Sequence, residues 1–255
     1  MALLRVTSEG TGEPVVWLHG FTQTRSSAPE FLASLRQTNR VLTLDLPGHG
    51  EASGVEGDLW RTADLVADAV GEETFHLAGY SFGGRVALHL ALAHPERLRR
   101  LVLVSSTAGL VSDQDRTERR QRDEQLADHL AEVGTERFLD EWLAQPLFSG
   151  TRRHDREHRS RDASGLASSL RLAGTGTQSD LTSRLIEITR PVLIVAGEHD
   201  EKFVREARRL GDTLTDARVE ILSRAGHAVP LDSPHECARV ISEFVSESTP
   251  AEESP

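Results

Sequence analysis

Cysteine and lysine are nearly absent from this 255-residue sequence, which contains one of each, Cys237 and Lys202. A single cysteine excludes a disulfide within the chain and favours a reducing compartment. No apolar run reaches the roughly 20 residues of a membrane-spanning helix, and no signal-peptide pattern follows Met1. The sequence therefore predicts a soluble cytoplasmic protein with no membrane span.

Positive charge is also scarce. Lysine and arginine together number 29 against 40 aspartates and glutamates, a formal net charge of −11. Nucleic-acid binding needs clustered positive charge, so no nucleic-acid partner is expected. Because every basic residue except Lys202 is an arginine, two explanations stay open: the base composition of the gene, or arginines that clamp carboxylates through paired hydrogen bonds. The sequence carries no pattern that indicates an oligomeric state.

Short apolar runs alternate with helical patterns along most of the chain. This order predicts an α/β fold with a mostly parallel, doubly wound sheet that is covered on both faces. Leu3–Thr7 is a candidate edge strand, and Pro234–Val245 is the last predicted helix. The predicted buried strands are Pro14–Leu18, Arg40–Leu44, Thr74–Ala78, Leu101–Ser105, Pro191–Ala196 and Ala217–Leu222.

The pattern changes between Ala108 and Thr189, where no β-like run occurs. Charged amphipathic stretches predict helices at Asp115–Val133, Glu136–Leu143 and Thr151–Ala173. In a doubly wound sheet such an insertion covers the carboxyl ends of the strands, where ligands bind. We therefore expect a helical cap at residues 108–189 and a core formed by residues 1–107 and 190–245. Residues 246–255, rich in Ser, Glu and Pro, predict a disordered tail.

Residues 79–83 read Gly-Tyr-Ser-Phe-Gly, which matches the nucleophile-elbow pattern G-x-S-x-G. An apolar strand precedes this pattern and a helix follows it, as the elbow requires. The central residue takes a strained backbone conformation, so side chains two positions away would collide unless they are small. The pattern and its context predict that Ser81 is catalytic, the alternative being an ordinary turn between a strand and a helix.

On this kind of scaffold a catalytic triad runs along the chain in the order serine, acid, histidine. Asp200 follows the strand Pro191–Ala196, and Glu198 is the alternative acid. His227 lies in a loop just after the strand Ala217–Leu222, where Gly226 allows a close approach to Ser81. The order and placement predict a Ser81–Asp200–His227 triad.

Two backbone N–H groups are expected to form an oxyanion hole. They belong to Phe21, which follows the Pro14–Leu18 strand, and to Phe82, which follows Ser81. His19 is expected to hold the first loop in place. Arg85, one turn into the helix after the elbow, has two interpretations: a surface arginine paired with an acid, or a pocket arginine that receives an anionic substrate.

Five segments carry a resemblance to a known family. They are LTLDLPGHG at Leu42–Gly50, GYSFGGR at Gly79–Arg85, FLDEWLAQPLFS at Phe138–Ser149, LRLAGTGTQ at Leu170–Gln178 and AGEHDEKF at Ala196–Phe203. With these segments the chain resembles the α/β-hydrolase superfamily over its whole length except the tail. Within that superfamily it resembles the 2-succinyl-6-hydroxy-2,4-cyclohexadiene-1-carboxylate (SHCHC) synthases of menaquinone biosynthesis. Gln23 and Thr24 depart from the family pattern, in which a small residue is common at that point.

The resemblance implies an α/β-hydrolase fold and a lyase activity. The family removes a proton next to the succinyl carbonyl of 2-succinyl-5-enolpyruvyl-6-hydroxy-3-cyclohexene-1-carboxylate and expels pyruvate, without a cofactor or a metal. The substrate is a small anion with three carboxylates, so arginines are expected around it. Matching motif positions imply substrate-binding roles for Arg85, Arg119 (with Arg120 as the alternative), Arg159, Tyr80 and Trp142.

Two other functions remain open from the sequence. The same triad serves an esterase or a carbon–carbon bond hydrolase, although Arg85 argues against a neutral lipid substrate. A non-catalytic protein that binds a small anionic ligand is the other alternative. A complete triad argues against it, because pure binding does not require all three residues.

Overall fold

A seven-stranded sheet forms the centre of the protein in a computed structural model that describes residues 4–148 and 155–247. The strands are β1 (Val6–Glu9), β2 (Glu13–Leu18), β3 (Asn39–Leu44), β4 (Phe75–Tyr80), β5 (Leu98–Val104), β6 (Val192–Gly197) and β7 (Ala217–Leu222). Their order is β1-β3-β2-β4-β5-β6-β7, and every pairing is parallel except that of β1 with β3.

All six predicted strands are present, but burial differs at the sheet edge. In β7 only Leu222 is buried, because this strand has a neighbour on one side alone. The candidate edge strand begins later than predicted, and Leu3 lies outside the described residues.

Helices cover both faces of the sheet. In β2, Val16 and Leu18 pack in one apolar layer with α2, α3 and α6, whereas Val15 and Trp17 pack in the other with α1 and α8. Both faces of each central strand are therefore buried, which explains why the strands read as continuous apolar runs. The helices are α1 (Pro29–Leu35), α2 (Leu59–Val70), α3 (Phe82–Ala93), α4 (Asp113–Leu143), α5 (Ala163–Ala173), α6 (Glu201–Thr213), α7 (Val229–Asp232) and α8 (Pro234–Ser246).

The segment between β5 and β6 contains α4 and α5, which pack against each other around Leu130, Phe138 and Leu166. Gly134, with φ 75° and ψ 167°, interrupts the helical backbone of α4. This kink lies where the sequence separates the predicted helices Asp115–Val133 and Glu136–Leu143. The insertion therefore adds a third apolar cluster next to the two layers of the sheet.

The predicted helix Thr151–Ala173 is too long, because α5 begins only at Ala163. The Asp162 side chain accepts a hydrogen bond of 2.8 Å from Gly165 N–H and so caps the helix start. Before the cap, the backbone N–H of Ser160 donates to Thr22 C=O at 2.8 Å. Amphipathic periodicity does not reveal this pairing with the loop after β2. Residues 151–154 lie outside the described residues.

None of the helices in the described ranges is long and apolar enough to cross a membrane. The predicted tail begins at residue 246, but α8 includes Ser246. The rest of that prediction concerns residues 248–255, which are outside the part of the chain that the structure describes.

Candidate active site

The elbow at Ser81 joins β4 to α3 through a strained backbone. Ser81 has φ 52° and ψ −107°, in the left-handed region that non-glycine residues rarely occupy. A Cβ atom on Gly79 would lie 2.3 Å from Gly83 C=O, and one on Gly83 would lie 2.2 Å from Leu18 C=O. Both glycines are therefore required by close backbone approach, as the pattern predicts.

The structure brings Ser81, His227 and Asp200 into one hydrogen-bonded row. His227 Nε2 lies 3.1 Å from Ser81 Oγ, and His227 Nδ1 lies 2.8 Å from Asp200 Oδ2. Because a carboxylate only accepts, Nδ1 carries the proton and the lone pair of Nε2 faces Ser81. Both His227 and Asp200 are buried. The arrangement can withdraw a proton from the serine hydroxyl.

Asp200 is fixed by the helix that follows it. It is the N-cap of α6, and its Oδ1 accepts a hydrogen bond of 3.2 Å from Phe203 N–H. The Phe203 ring also packs against His227, with 4.5 Å between ring centroids. The alternative acid, Glu198, is exposed and its carboxylate accepts from the Arg224 backbone N–H at 3.3 Å. Asp200, and not Glu198, therefore orients the imidazole.

Phe82 is the first residue of α3, and Phe21 lies in the loop after β2. The N–H of a first helical residue has no partner within its helix, and the positive end of the helix dipole favours a negative charge there. In the other loop, Gly20 N–H donates to Gln23 Oε1 at 2.9 Å, and Gln23 N–H donates to Gly20 C=O at 3.1 Å. Gln23, which departs from the family pattern, therefore closes the turn that contains Phe21.

His19 holds this loop against the next one. Its Nε2 accepts from Leu46 N–H at 3.1 Å, and its Nδ1 donates to Gly20 C=O at 2.9 Å. Burial lowers the pKa of His19 to about 4, so the ring is neutral near pH 7. The structural role expected for His19 agrees with these contacts.

Arg85 lies in the pocket wall and not on the helix surface. Its side chain is buried, and its Nη1 donates to Ala173 C=O at 2.9 Å. Among the described residues no carboxylate lies within ion-pair distance of its guanidinium. Burial, followed by the charge of Arg119, lowers the pKa of Arg85 to about 9, and the guanidinium remains charged near pH 7. The structure therefore places a partly uncompensated cation beside Ser81.

A second buried cation, Arg159, lines the same pocket. Its Nη1 donates to Thr22 Oγ1, and its backbone pairs with Gln23 across an isolated β-bridge. Burial lowers the pKa of Arg159. Its Nε is buried, with no hydrogen-bond partner in the described part of the chain. Unpaired donors of this kind are costly unless a ligand satisfies them.

Arg119 lines the pocket, whereas its neighbour Arg120 does not. The Arg119 Nε atom donates to Asp123 Oδ1 at 2.7 Å, which fixes the side chain along α4. Arg120 is exposed. Its backbone packs against Gly176, where an added Cβ atom would lie 2.2 Å from the Arg120 nitrogen. Of the two alternatives, the structure places Arg119 and not Arg120 in the wall of this pocket.

Tyr80 and Trp142 contribute aromatic surface to the pocket. Trp142 packs against Phe21 with 5.2 Å between ring centroids, and its buried Nε1 has no acceptor among the described residues. Tyr80 is buried, and burial raises its pKa, so its phenol stays neutral. The wall thus combines apolar rings with a free hydrogen-bond donor.

The sequence interpretation missed several pocket residues. Lys202, Phe203, Phe148 and Thr175 line the pocket, and all lie within segments that carry the family resemblance. The described lining contains four cations, Lys202 and the three arginines, and no aspartate or glutamate. In addition, no group of three or more His, Cys, Asp or Glu side chains in the described ranges could hold a metal ion. The arrangement is suited to a small anion.

Comparisons with known proteins agree with the fold. The alpha/beta hydrolase family matches residues 15–240. A Bacillus subtilis (strain 168) protein, provisionally named 2-succinyl-6-hydroxy-2,4-cyclohexadiene-1-carboxylate synthase, is 38% identical over 94% of both chains. The synthase of that name from Photorhabdus laumondii is 30% identical over 91% of this chain and 85% of its own. MenH from S. aureus superposes with a TM-score of 0.88 at 31% identity, covering 96% of this chain and 98% of that one. The chain therefore belongs to the alpha/beta hydrolase family.

Proposed function

We propose that this protein is an SHCHC synthase, a carbon–oxygen lyase of menaquinone biosynthesis. A single observation carries the proposal. Ser81 and His227, which are hydrogen-bonded to each other and through His227 to Asp200, line a pocket whose described residues include four cations and no acid. The names of the curated relatives support the same activity. The substrate would be a small anion.

The proposed reaction is an elimination driven by a base. The ring carbon next to the succinyl carbonyl (C2) loses a proton, and its electron pair forms a double bond to C3. The existing C3=C4 double bond moves to C4=C5, and the bond from C5 to the enolpyruvyl oxygen breaks. Enolpyruvate then gains a proton to become pyruvate. The proton acceptor is either Ser81 Oγ, activated by His227, or Nε2 of the His227 ring itself. The distance between Ser81 Oγ and His227 Nε2 is 3.1 Å. The reaction changes no net oxidation state, so we propose no cofactor.

The negative charge that develops on the succinyl carbonyl oxygen needs fixed donors. We assign this role to the backbone N–H groups of Phe21 and Phe82, two residues that line the same pocket as Ser81. Donors that are already oriented need no reorganisation during the reaction and are effective in a site with little water. The loss of one such donor typically costs about 3 to 4 kcal/mol of transition-state stabilisation.

The substrate carboxylates require cations to bind them. Among the described residues, Arg85 and Arg159 are buried with no ion pair, and Arg119 forms an ion pair with Asp123. Guanidinium groups bind carboxylates through two parallel hydrogen bonds, a geometry that ammonium groups cannot reproduce. We propose that these three arginines bind the substrate carboxylates, with Tyr80 and Trp142 packing against the ring.

We also propose that residues 108–189 act as a cap on a core of residues 1–107 and 190–245. Trp142 in α4 and Leu170 in α5 line the pocket together with Ser81. A cap of this kind would exclude water from the carbanion-like transition state. A cytoplasmic location is part of the same proposal, because the lone thiol of Cys237 is buried and no disulfide within the chain is possible.

The test is to supply purified protein with 2-succinyl-5-enolpyruvyl-6-hydroxy-3-cyclohexene-1-carboxylate and to measure released pyruvate. We expect turnover without added metal or nucleotide. Rapid hydrolysis of aryl esters together with an untouched intermediate would support the serine-hydrolase alternative instead. Binding of the intermediate without any turnover would support the non-catalytic alternative.

A further inference from the structure

Lys202 lies where the catalytic pocket meets a neighbouring groove. One side of the groove contains Val111, just before α4, and Asp115 in its first turn. The other side contains the α6 residues Glu206 and Arg209. Lys202 lines both the pocket and the groove. A ligand that enters through this groove passes the Lys202 side chain before it reaches Ser81.

Lys202 differs from the other pocket cations in having no polar partner within residues 4–148 and 155–247. Arg85 donates to a carbonyl, Arg119 to Asp123 and Arg159 to Thr22. The ammonium of Lys202 lies over the Phe203 ring, 5.4 Å from its centroid, and in the described residues it has no ion pair. Its residue is exposed. The charge of Lys202 is therefore available to a ligand.

The position of Lys202 in α6 is unfavourable for helix stability. It is the second residue of the helix, where the positive end of the helix dipole repels a cation. A residue that breaks a local rule in this way often has a functional reason. It is also the only lysine in a sequence with 28 arginines.

The charge around the groove favours entry of an anion past Lys202. Glu206 forms an ion pair of 2.8 Å with Arg209 and accepts a hydrogen bond of 2.7 Å from Thr107 Oγ1, so its negative charge is compensated. Asp115, in the first turn of α4, is the other acid that lines the groove. In a protein of net charge −11, Lys202 and Arg119 form the positive part of the groove. Such a local field raises the rate at which an anion is captured.

We propose that Lys202 is an entry residue that captures a carboxylate of the anionic substrate at this junction. A hydrated ammonium on a flexible stem suits transient capture, whereas the planar guanidinium suits a fixed two-bond contact. The inference rests on the proposed function for the identity of the substrate. It assigns Lys202 to binding and not to the chemical step.

The test compares Lys202→Gln, Lys202→Glu and Lys202→Arg with the wild type. Arg205→Gln is the matched control, because Arg205 is an exposed cation of the same helix that does not line the pocket or the groove. At low ionic strength Lys202→Gln should raise KM about 3- to 10-fold with kcat nearly unchanged. This change is at or below the lower end of the roughly 10- to 1000-fold range for a whole charged cleft, because only one of several charges is removed. Lys202→Glu should raise KM further, and Lys202→Arg should retain most of the affinity.

Salt provides a readout that a merely structural role would not change. Between about 0.01 M and 1 M salt the Debye length falls from about 30 Å to about 3 Å. The wild type and Lys202→Gln should therefore converge in kcat/KM at high salt, whereas the control should follow the wild type throughout. Equal KM and equal salt dependence in the wild type and Lys202→Gln would overturn the proposal. A fall in kcat and melting temperature without a change in KM would overturn it too.

A binding measurement separates this inference from the proposed function. Calorimetric titration with SHCHC, which keeps the succinyl and ring carboxylates, requires no turnover. If the wild type releases no pyruvate, the proposed function fails. If SHCHC binds the wild type and Lys202→Gln with the same dissociation constant at low salt, or binds neither, the Lys202 proposal fails. A several-fold weaker affinity in Lys202→Gln alone supports it.

Discussion

Arg85 Nη1 donates a hydrogen bond of 2.9 Å to the carbonyl oxygen of Ala173. Ala173 is the last residue of α5, so this carbonyl belongs to the negative end of the helix dipole and has no partner within the helix. The contact stabilises a buried guanidinium without an acid. The positive charge thus remains available to a substrate carboxylate, and one bond joins the helix after the elbow to the insertion.

Replacement of Arg85 tests whether this charge binds substrate. Arg85→Ala should lower kcat/KM about 30-fold or more, because the loss of a charge-assisted pair with a desolvated carboxylate costs about 2 to 5 kcal/mol. Arg85→Lys should restore only part of the activity, because an ammonium cannot make the two-donor contact. Steady-state kinetics with the enolpyruvyl intermediate measure both effects. Wild-type efficiency in Arg85→Ala would remove the main reason for an anionic substrate.

Single and double substitutions in the triad test whether the three residues act as one unit. Ser81→Ala, His227→Ala and Asp200→Asn should each lower kcat by about a hundredfold or more while the protein stays folded. The double variant Ser81→Ala/His227→Ala should be no slower than the slower single variant, since removing one member already breaks the relay. Circular dichroism provides the folding control. A fully active Ser81→Ala variant is incompatible with the proposed mechanism.

The elbow glycines predict a stability effect that is separate from catalysis. Gly83→Ala places a Cβ 2.2 Å from Leu18 C=O, so the strand or the helix must shift. We expect a loss of about 3 kcal/mol or more in the free energy of unfolding. Gly54→Ala is the control, because nothing lies within 4 Å of its Cβ, and it should change stability by less than about 0.5 kcal/mol. Denaturant titration measures both, and equal stabilities would contradict the close-approach argument.

Buried histidines predict a loss of stability in mild acid. Burial, with a contribution from His19, lowers the pKa of His49 to about 3. As pH falls below 6.5 the unfolded chain binds a proton at His49 and the folded protein does not. The contribution of neutral His49 to the free energy of unfolding is therefore fully present above pH 6.5 and is lost progressively as the pH falls toward 3. At pH 5 this single group accounts for about 2 kcal/mol relative to pH 7.

The variant His49→Asn isolates that contribution. An asparagine amide can replace His49 Nδ1 as the donor to Pro47 C=O, a bond of 2.9 Å, but it does not titrate. The drop in unfolding free energy between pH 7 and pH 5 should therefore be smaller than in the wild type by about 2 kcal/mol. Parallel denaturant titrations at the two pH values give the difference. Identical drops in both proteins would show that His49 does not titrate as described.

Sequence reasoning succeeded where a pattern has one physical cause. Strands buried on both faces must be apolar throughout, so the run Pro191–Ala196 predicts β6 directly. The elbow pattern around Ser81 is equally specific, because the turn accepts only small flanking residues. The order of the three motifs then predicts Asp200 and His227, which the fold brings together from the ends of two neighbouring strands.

Contacts between distant segments could not be predicted in the same way. The helix Thr151–Ala173 was predicted too long because periodicity does not register the Asp162 cap or the pairing of Ser160 with Thr22. Lys202 was missed because a lone lysine in an amphipathic helix resembles a solvated surface residue. The interpretation of Arg159 as a pocket residue came from the family resemblance, since its burial depends on the loop after β2.

The most direct test of the central claim is the identity of the small acid released from 2-succinyl-5-enolpyruvyl-6-hydroxy-3-cyclohexene-1-carboxylate. An elimination assisted by Ser81 and His227 breaks the carbon–oxygen bond and releases pyruvate in a one-to-one ratio with SHCHC. Hydrolysis by the same triad at the succinyl carbonyl would break a carbon–carbon bond and release succinate. Chromatographic quantification of both acids should find pyruvate alone, whereas succinate without pyruvate would contradict the account.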